Sequence, residues 1–115
     1  MAIQTGTMKS ILSDAYKGSA LYGALTTTAP GSSSGTEVSG GSPAYARKSL
    51  TWGSSSSGVV SATAVVFDVP TGTTVVGFQV HSAVTAGTYY DGVGITSQTF
   101  ASQGTYTITP TYTQS

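Results

Sequence analysis

The sequence contains no cysteine, so disulfide bonds and thiol chemistry are excluded. Only 7% of its 115 residues are charged and the formal net charge is zero, whereas ordinary globular chains are roughly 25% charged. The basic residues form no patch of the kind that displaces counterions from nucleic acid, so we expect no nucleic-acid partner. Weak charge repulsion between copies instead favours a protein that sits in an assembly.

Long apolar runs are also missing. No segment approaches the roughly 20 residues that a membrane-spanning helix needs, so we expect no membrane partner. The first residues lack the basic segment and the apolar segment of a signal peptide. We therefore expect synthesis in the cytoplasm without signal-directed export.

Helical periodicity is confined to the N-terminus. Thr7 is a suitable N-cap and Gly18 a suitable stop. Between them, apolar residues recur at the spacing of one helical face, namely Met8, Ile11, Leu12, Ala15 and Tyr16. A helix of about ten residues is marginal alone, so this face must dock on the sheet or on a neighbouring subunit. We interpret it as the assembly element.

The remainder of the chain predicts short strands separated by turns rich in Gly, Pro and Ser. The predicted strands cover residues 20–25, 45–52, 59–69, 74–81, 88–90, 93–95 and 105–112. Asp91-Gly92 indicates a tight turn or a bulge, and Pro110 confines the last strand to an edge. We expect an arm and short helix over 1–18 and a β-domain over 19–115. The fold class is all-β, an antiparallel β-sandwich of about seven short strands with one short N-terminal helix.

No arrangement of residues predicts catalysis. Residues 31–35 match the G-x-S-x-G pattern of hydrolases, but they lie in a flexible loop with no helix after them. His81 is the only histidine, and the four acidic residues are scattered, so neither a triad nor a metal site is indicated. We expect no catalytic residue, no metal, no cofactor and no enzymatic activity.

The seven tyrosines outnumber Phe and Trp together. They could form a carbohydrate-binding face or a subunit interface, or they could occupy ordinary half-buried strand positions. The residue types leave these three interpretations open. The candidate binding face comprises Tyr45, Trp52, Tyr89 and Tyr90.

Glu37 and Arg47 stand ten residues apart across a glycine-rich loop in a chain with very few charges. An arginine and a carboxylate can form two directional hydrogen bonds. We expect the two side chains to pair and to pin the loop to the following strand. The alternative is two solvated charges that contribute little to stability.

Several segments together resemble a family of small bacteriophage virion structural proteins of the tail-fibre-like or minor capsid (head decoration) type. The most specific pieces are Glu-Val-Ser-Gly-Gly at 37–41 and Tyr-Ala-Arg at 45–47. The matching segments are 8–15, 28–31, 35–41, 45–52, 67–70, 75–83 and 85–90. The chain departs from the family in its compact first strand and at 78–82, where relatives tend to carry an aromatic residue and an Asp.

The resemblance implies a virion component without enzymatic activity, present in many copies. We expect a surface-displayed β-domain that decorates the capsid or forms part of a tail fibre and acts by subunit packing. Its partners would be other virion proteins and further copies of itself, and its location the virion, assembled in the host cytoplasm. The alternative is a receptor- or carbohydrate-binding β-module that contacts the host surface during attachment.

Overall fold

A computed structural model describes residues 3–114 and contains one helix and eight strands in that range. The elements are α1 (Gly6–Ser19), β1 (Tyr22–Thr26), β2 (Lys48–Ser49), β3 (Val59–Ser61), β4 (Val65–Val69), β5 (Thr73–His81), β6 (Tyr89–Phe100), β7 (Gly104–Ile108) and β8 (Thr111–Thr113). The predicted all-β antiparallel fold with one short N-terminal helix is confirmed. The outer ends of the predicted segments 1–18 and 19–115 (residues 1, 2 and 115) lie outside the described residues.

One layer of the fold is a four-stranded antiparallel sheet in the order β2-β1-β5-β6. The other layer is a two-stranded ribbon. Its two halves are the pairs β4–β7 and β3–β8, which follow one another along the chain. Together the layers form a body of 47 × 24 × 24 Å.

The ribbon is interrupted at Pro110. Ser61 pairs with Thr111 and Val65 with Ile108, so three residues on one strand oppose two on the other. Proline has no amide hydrogen to donate, and its carbonyl accepts from Ala62 N at 2.9 Å. The predicted strands 59–69 and 105–112 are therefore each divided in two at this bulge.

The core lies between the sheet and the ribbon. Leu25 and Phe78 from the sheet meet Phe67 and Val69 from the ribbon, and each is at most 5% exposed. The Phe67 and Phe78 rings pack edge to face, with centroids 6.5 Å apart. Each such side chain contributes roughly 1.5–3 kcal/mol through burial. Alternation along β4 and β5 places these residues on one face of each strand.

The second face of the sheet is covered by the loop that follows β1. Pro30 in this loop sits directly against two glycines of neighbouring strands. A Cβ on Gly77 would lie 2.4 Å from Pro30 Cδ, and one on Gly92 would lie 2.6 Å from Pro30 Cβ. Glycine at these two positions leaves room for Pro30 to lie on the sheet. The loop thereby covers the second face of β5, where Gln79 and His81 are buried.

The helix boundaries differ from those predicted. Thr5 is the N-cap, where its Oγ1 accepts from Met8 N at 3.2 Å, and Thr7 lies inside the helix. Gly18 does not end the helix, which continues to Ser19 with Ala20 N donating to Tyr16 O. Packing of Tyr16 and the buried Ala20 on the domain outweighs the weak helix propensity of glycine.

The predicted strand 45–52 shrinks to Lys48–Ser49. After β2 the backbone leaves the sheet edge, and Trp52 forms an isolated antiparallel bridge with Ala62 of the ribbon. Before β2, the Tyr45 side chain takes the place of backbone pairing, as described below. The predicted strands 88–90 and 93–95 instead form one continuous strand that extends to Phe100. Its Asp91-Gly92 signal marks a bulge: His81 pairs with Tyr89 and Val80 with Asp91, which leaves Tyr90 as the extra residue.

We expect Gly77→Ala to destabilise the protein by about 1–3 kcal/mol, because the added methyl overlaps Pro30 and Thr26 Oγ1. Gly94 pairs with Gly77, but a Cβ there would meet nothing within 4 Å. Gly94→Ala should therefore change the free energy of unfolding by less than about 0.5 kcal/mol. Urea denaturation measures both; equal effects would show that the loop does not pack on the sheet as described.

Candidate functional site

The outer edge of β1 has backbone partners at its two ends and a side-chain hydrogen bond between them. β2 pairs with Tyr22 and Gly23, and Glu37 forms a bridge with Thr26. Between these points the Tyr45 hydroxyl accepts from Leu25 N at 2.9 Å. A phenol oxygen thus takes the place of a neighbouring strand's carbonyl, which satisfies an amide that would otherwise be unpaired.

Glu37 and Arg47 are brought together at this edge. Arg47 Nε donates to Glu37 Oε1 and Oε2 at 3.2 and 3.0 Å, and Nη2 donates to Oε1 at 3.0 Å. The Glu37 side chain is only 26% exposed and the Arg47 side chain only 11%. Such a pair, largely removed from water and bonded through two nitrogens, is stronger than an exposed surface pair.

Each partner of the ion pair also holds another segment. Arg47 Nη1 donates to the carbonyls of Ala83 and Ala86 at 3.0 and 2.8 Å. Glu37 Oε2 accepts from the Tyr45 hydroxyl at 2.8 Å. We name these contacts of Glu37, Tyr45 and Arg47 the arginine hub. The hub joins the loop before β2, the edge of β1 and the turn after β5.

Tyr45 is held inside the domain. Its ring stacks against Phe67, with centroids 6.1 Å apart. Burial raises the pKa of the Tyr45 phenol far above its ordinary value, and the Glu37 carboxylate adds to this effect while the Leu25 amide opposes it. The hydroxyl therefore keeps the proton that it donates to Glu37, and Tyr45 is not displayed on a binding face.

A second cluster of aromatic side chains joins the helix to the ribbon. Tyr16 stacks on Tyr112 with centroids 3.7 Å apart and meets Trp52 edge to face at 6.0 Å. Tyr16 donates its hydroxyl to Asp91 Oδ2 at 2.9 Å, and Trp52 Nε1 donates to Ala20 O at 2.7 Å. Burial, with Asp91 adding to it, raises the pKa of Tyr16. These contacts fix the last turn of the helix to the domain.

A cleft of about 550 Å³ opens beside this cluster. Its walls combine aromatic rings, one carboxylate and several hydroxyl groups, contributed in part by Tyr16, Trp52, Tyr112, Asp91, Thr109, Thr111 and Thr113. Small-molecule sites typically combine apolar walls with a few oriented polar groups in this way.

The four residues of the candidate binding face occupy separate positions. Tyr45 belongs to the arginine hub and Trp52 to the cluster on the helix. Tyr89 donates its hydroxyl to Gly31 O at 2.7 Å and lies against His81. Tyr90, the bulge residue, is 50% exposed and is the only one of the four classed as exposed. The cleft described above is lined by Tyr16 and Tyr112, neither of which belongs to the candidate binding face.

The helix docks on the domain through Tyr16 of the predicted face and through residues beside that face. Ser13 is fully buried, Tyr16 packs on the core, and Lys9 Cβ approaches Gly58. This docked face lies about a quarter turn from the centre of the predicted apolar face. Met8 and Ile11 consequently remain 45% and 54% exposed.

The outward part of the predicted face borders a groove. A groove of about 410 Å³ runs beside Leu12, Ala15 and Tyr90. We name the surface formed by Met8, Ile11, Leu12 and Ala15 the outer helix face. It includes the exposed large hydrophobic side chains of the helix among residues 3–114, Met8 and Ile11.

Within residues 3–114, no group of three or more His, Asp and Glu side chains is placed to hold a metal ion. The described part of the chain likewise has no helix long and apolar enough to cross a membrane. The G-x-S-x-G segment at 31–35 lies in an irregular loop with no helix after it. The geometry required of a nucleophile elbow is not present there.

One comparison with known proteins finds a match. A family model described as "Podophage GP4 fiber I protein gp80" matches residues 9–113. Searches of curated proteins and of solved structures found no match. The match includes β7 and β8, beyond the segments that carried the sequence resemblance. The resemblance to small phage structural proteins of the tail-fibre type is confirmed.

We expect Arg47→Met to destabilise the protein by about 2–4 kcal/mol, because it leaves the Glu37 carboxylate without its cation and the Ala83 and Ala86 carbonyls without this donor. Lys48→Met, the neighbouring cation, should change stability by less than about 0.5 kcal/mol. In a double-mutant cycle with Glu37→Gln, we expect a coupling energy of about 1 kcal/mol or more. Urea denaturation measures all three; zero coupling would show that the pair does not pin the loop.

Proposed function

We propose that this chain, which belongs to the family of the podophage GP4 fiber I protein gp80, is a multi-copy structural subunit displayed on a phage tail fibre. It acts by packing against neighbouring subunits and performs no chemistry. Its partners are further copies of itself and other virion proteins, and its location is the virion, assembled in the host cytoplasm. The family match favours a fibre over a capsid decoration.

The outer helix face is the observation that carries this proposal. Met8 and Ile11 are about half exposed on a helix that docks on the domain through a neighbouring face. Covering them by a partner would stabilise the contact by about 25 cal/mol for each Å² of apolar surface buried. An amphipathic helix face that packs into a groove or against another helix is a common mode of association.

The charges near the helix support association through apolar contact. Asp14 binds Lys17 at 3.3 Å and accepts from Ser55 Oγ at 2.6 Å. Lys17 also donates to Gly53 O at 2.9 Å. Asp14 and Lys17 therefore largely offset each other. Lys9, the third charged residue of the helix, lies on the docked side with its Cβ against Gly58, so apolar contact is the main interaction that the outer helix face offers.

Host attachment through a carbohydrate is a second candidate function, favoured by the cleft beside Tyr16, Trp52 and Tyr112. A glycan array with the purified protein tests it. Thr109→Val removes the hydroxyl of an exposed residue from the cleft, whereas Thr107→Val makes the same change two residues earlier, in β7 and outside the cleft. Binding that Thr109→Val weakens and Thr107→Val preserves would support this function; a blank array would oppose it.

We expect the double variant Met8→Gln, Ile11→Gln to fold normally but to be incorporated into virions at a level reduced by at least roughly tenfold, because it removes two apolar contacts. Val66→Thr is the matched control, since Val66 is 49% exposed on the outer side of the ribbon. Virions from complemented infections would be purified and their subunit content measured. Point variants are preferable to deleting residues 1–18, which would also remove the Tyr16 contacts.

Normal incorporation of the double variant, with a thermal unfolding curve like that of the native protein, would contradict an assembly role for the outer helix face. If Val66→Thr also lost incorporation, the loss would reflect a general effect of exposed apolar residues and would not identify the outer helix face as the contact. Sedimentation velocity of each purified variant would report self-association separately from attachment to other virion proteins.

A further inference from the structure

Two polar side chains are buried beneath the loop that covers the sheet. Gln79 and His81 are 1% and 4% exposed, respectively, on the face of β5 that the loop closes. Gly35 N donates to Gln79 Oε1 at 2.9 Å, and Gln79 Nε2 lies 2.9 Å from His81 Nε2. A chain of hydrogen bonds thus connects the backbone of the loop to the imidazole.

The backbone amide sets the direction of this chain. Gly35 N–H can only donate, so the oxygen of the Gln79 side chain must face it. The nitrogen of Gln79 then faces His81 and can also only donate, so His81 Nε2 must accept. The neutral imidazole therefore carries its proton on Nδ1, which is buried and has no hydrogen-bond partner among the described residues.

We propose that His81 is a proton-sensitive latch whose protonation releases the loop at Gly35. A second proton on the ring turns Nε2 into a donor that faces the donor Nε2 of Gln79. Rotation of the Gln79 amide would present its oxygen to His81, but would then oppose its nitrogen to the Gly35 amide. Without this rotation the Gln79–His81 hydrogen bond is lost. With it, the charged imidazole gains an acceptor, and the Gly35–Gln79 hydrogen bond that holds the loop is lost instead.

The loop has other anchors, so release is local. Tyr89 donates to Gly31 O, Thr36 N donates to Thr28 Oγ1, and Pro30 lies on Gly77 and Gly92. None of these contacts involves the imidazole nitrogens. We therefore expect the segment around Gly35 to open while the sheet and the core stay folded.

The groups around His81 determine when the latch opens. Arg47 and Glu37 act on it from the arginine hub, Tyr89 lies 5.7 Å away on β6, and Tyr22 is opposite on β1. Burial and the Arg47 cation lower the pKa of His81, and Glu37 partly opposes them. At neutral pH the ring is neutral and the loop is closed. The ordinary pKa of histidine is about 6.5, and the closed loop lowers it, so protonation favours the open loop. The latch therefore weakens as the pH falls below about 6.5.

Nuclear magnetic resonance of the ¹⁵N-labelled native protein tests the latch directly. At about pH 7.5 the ring nitrogens should show the Nδ1–H tautomer with an unprotonated Nε2. Between about pH 7.5 and pH 5, we expect the hydrogen-exchange protection of the Gly35 amide to fall by about tenfold after correction for intrinsic exchange. The Val38 amide, which donates to Leu25 O, is the internal control and should stay protected.

Two variants separate the latch from a general acid effect. His81→Gln retains an acceptor for Gln79 but cannot titrate, so Gly35 should remain protected at both pH values. Gln79→Met removes the link, so Gly35 should exchange rapidly at both. An Nε2–H tautomer in the native protein, or an unchanged pH dependence in His81→Gln, would overturn the proposal. The tautomer decides even if a variant fails to fold, and neither result depends on the proposed fibre role.

Discussion

The arginine hub is the interaction on which the rest of the fold depends. Glu37, Tyr45 and Arg47 lie where regular strand pairing along β1 stops, and their side chains complete the hydrogen bonding of that edge. Arg47 also holds the turn after β5 through two carbonyls. Buried charges are costly when unpaired, so a chain with only four acidic and four basic residues concentrates a pair at this point.

The hub has a consequence for the opposite face of the sheet. By fixing Glu37 against Thr26, it returns the loop after β1 to the edge from which it left. The loop can then lie across the sheet, with Pro30 over Gly77 and Gln79 bonded to Gly35. A polar histidine is thereby enclosed in a domain that is otherwise stabilised mainly by aliphatic and aromatic packing.

Much of this could be predicted where the signal was local. Runs of apolar residues between turn signals predicted most of the strands, and charge scarcity predicted that Glu37 and Arg47 would meet. Periodicity identified the apolar helix face, but could not show that Ser13 and Tyr16 would dock while Met8 and Ile11 stayed outside. That choice depends on the stacking of Tyr16 with Tyr112, which lies at the other end of the chain.

The strand errors have a similar origin. Residues 45–52 have the alternation of a strand, but only Lys48–Ser49 pairs with β1 as a strand. The Tyr45 and Trp52 side chains instead form hydrogen bonds with the backbone of Leu25 and Ala20. The aromatic cleft could not be predicted either, because helix, β6 and ribbon contribute to it from distant parts of the chain. The sequence shows where apolar residues recur along the chain. Contacts between distant segments determine which of those residues lie on one surface.

We propose that the domain is a fibre subunit that joins its neighbours through the outer helix face. Electron cryomicroscopy of the intact virion at side-chain resolution would test this proposal. We expect many copies along a tail fibre, with Met8 and Ile11 covered by an adjacent subunit. Copies placed on the capsid shell, or a fibre in which both side chains face solvent, would contradict it.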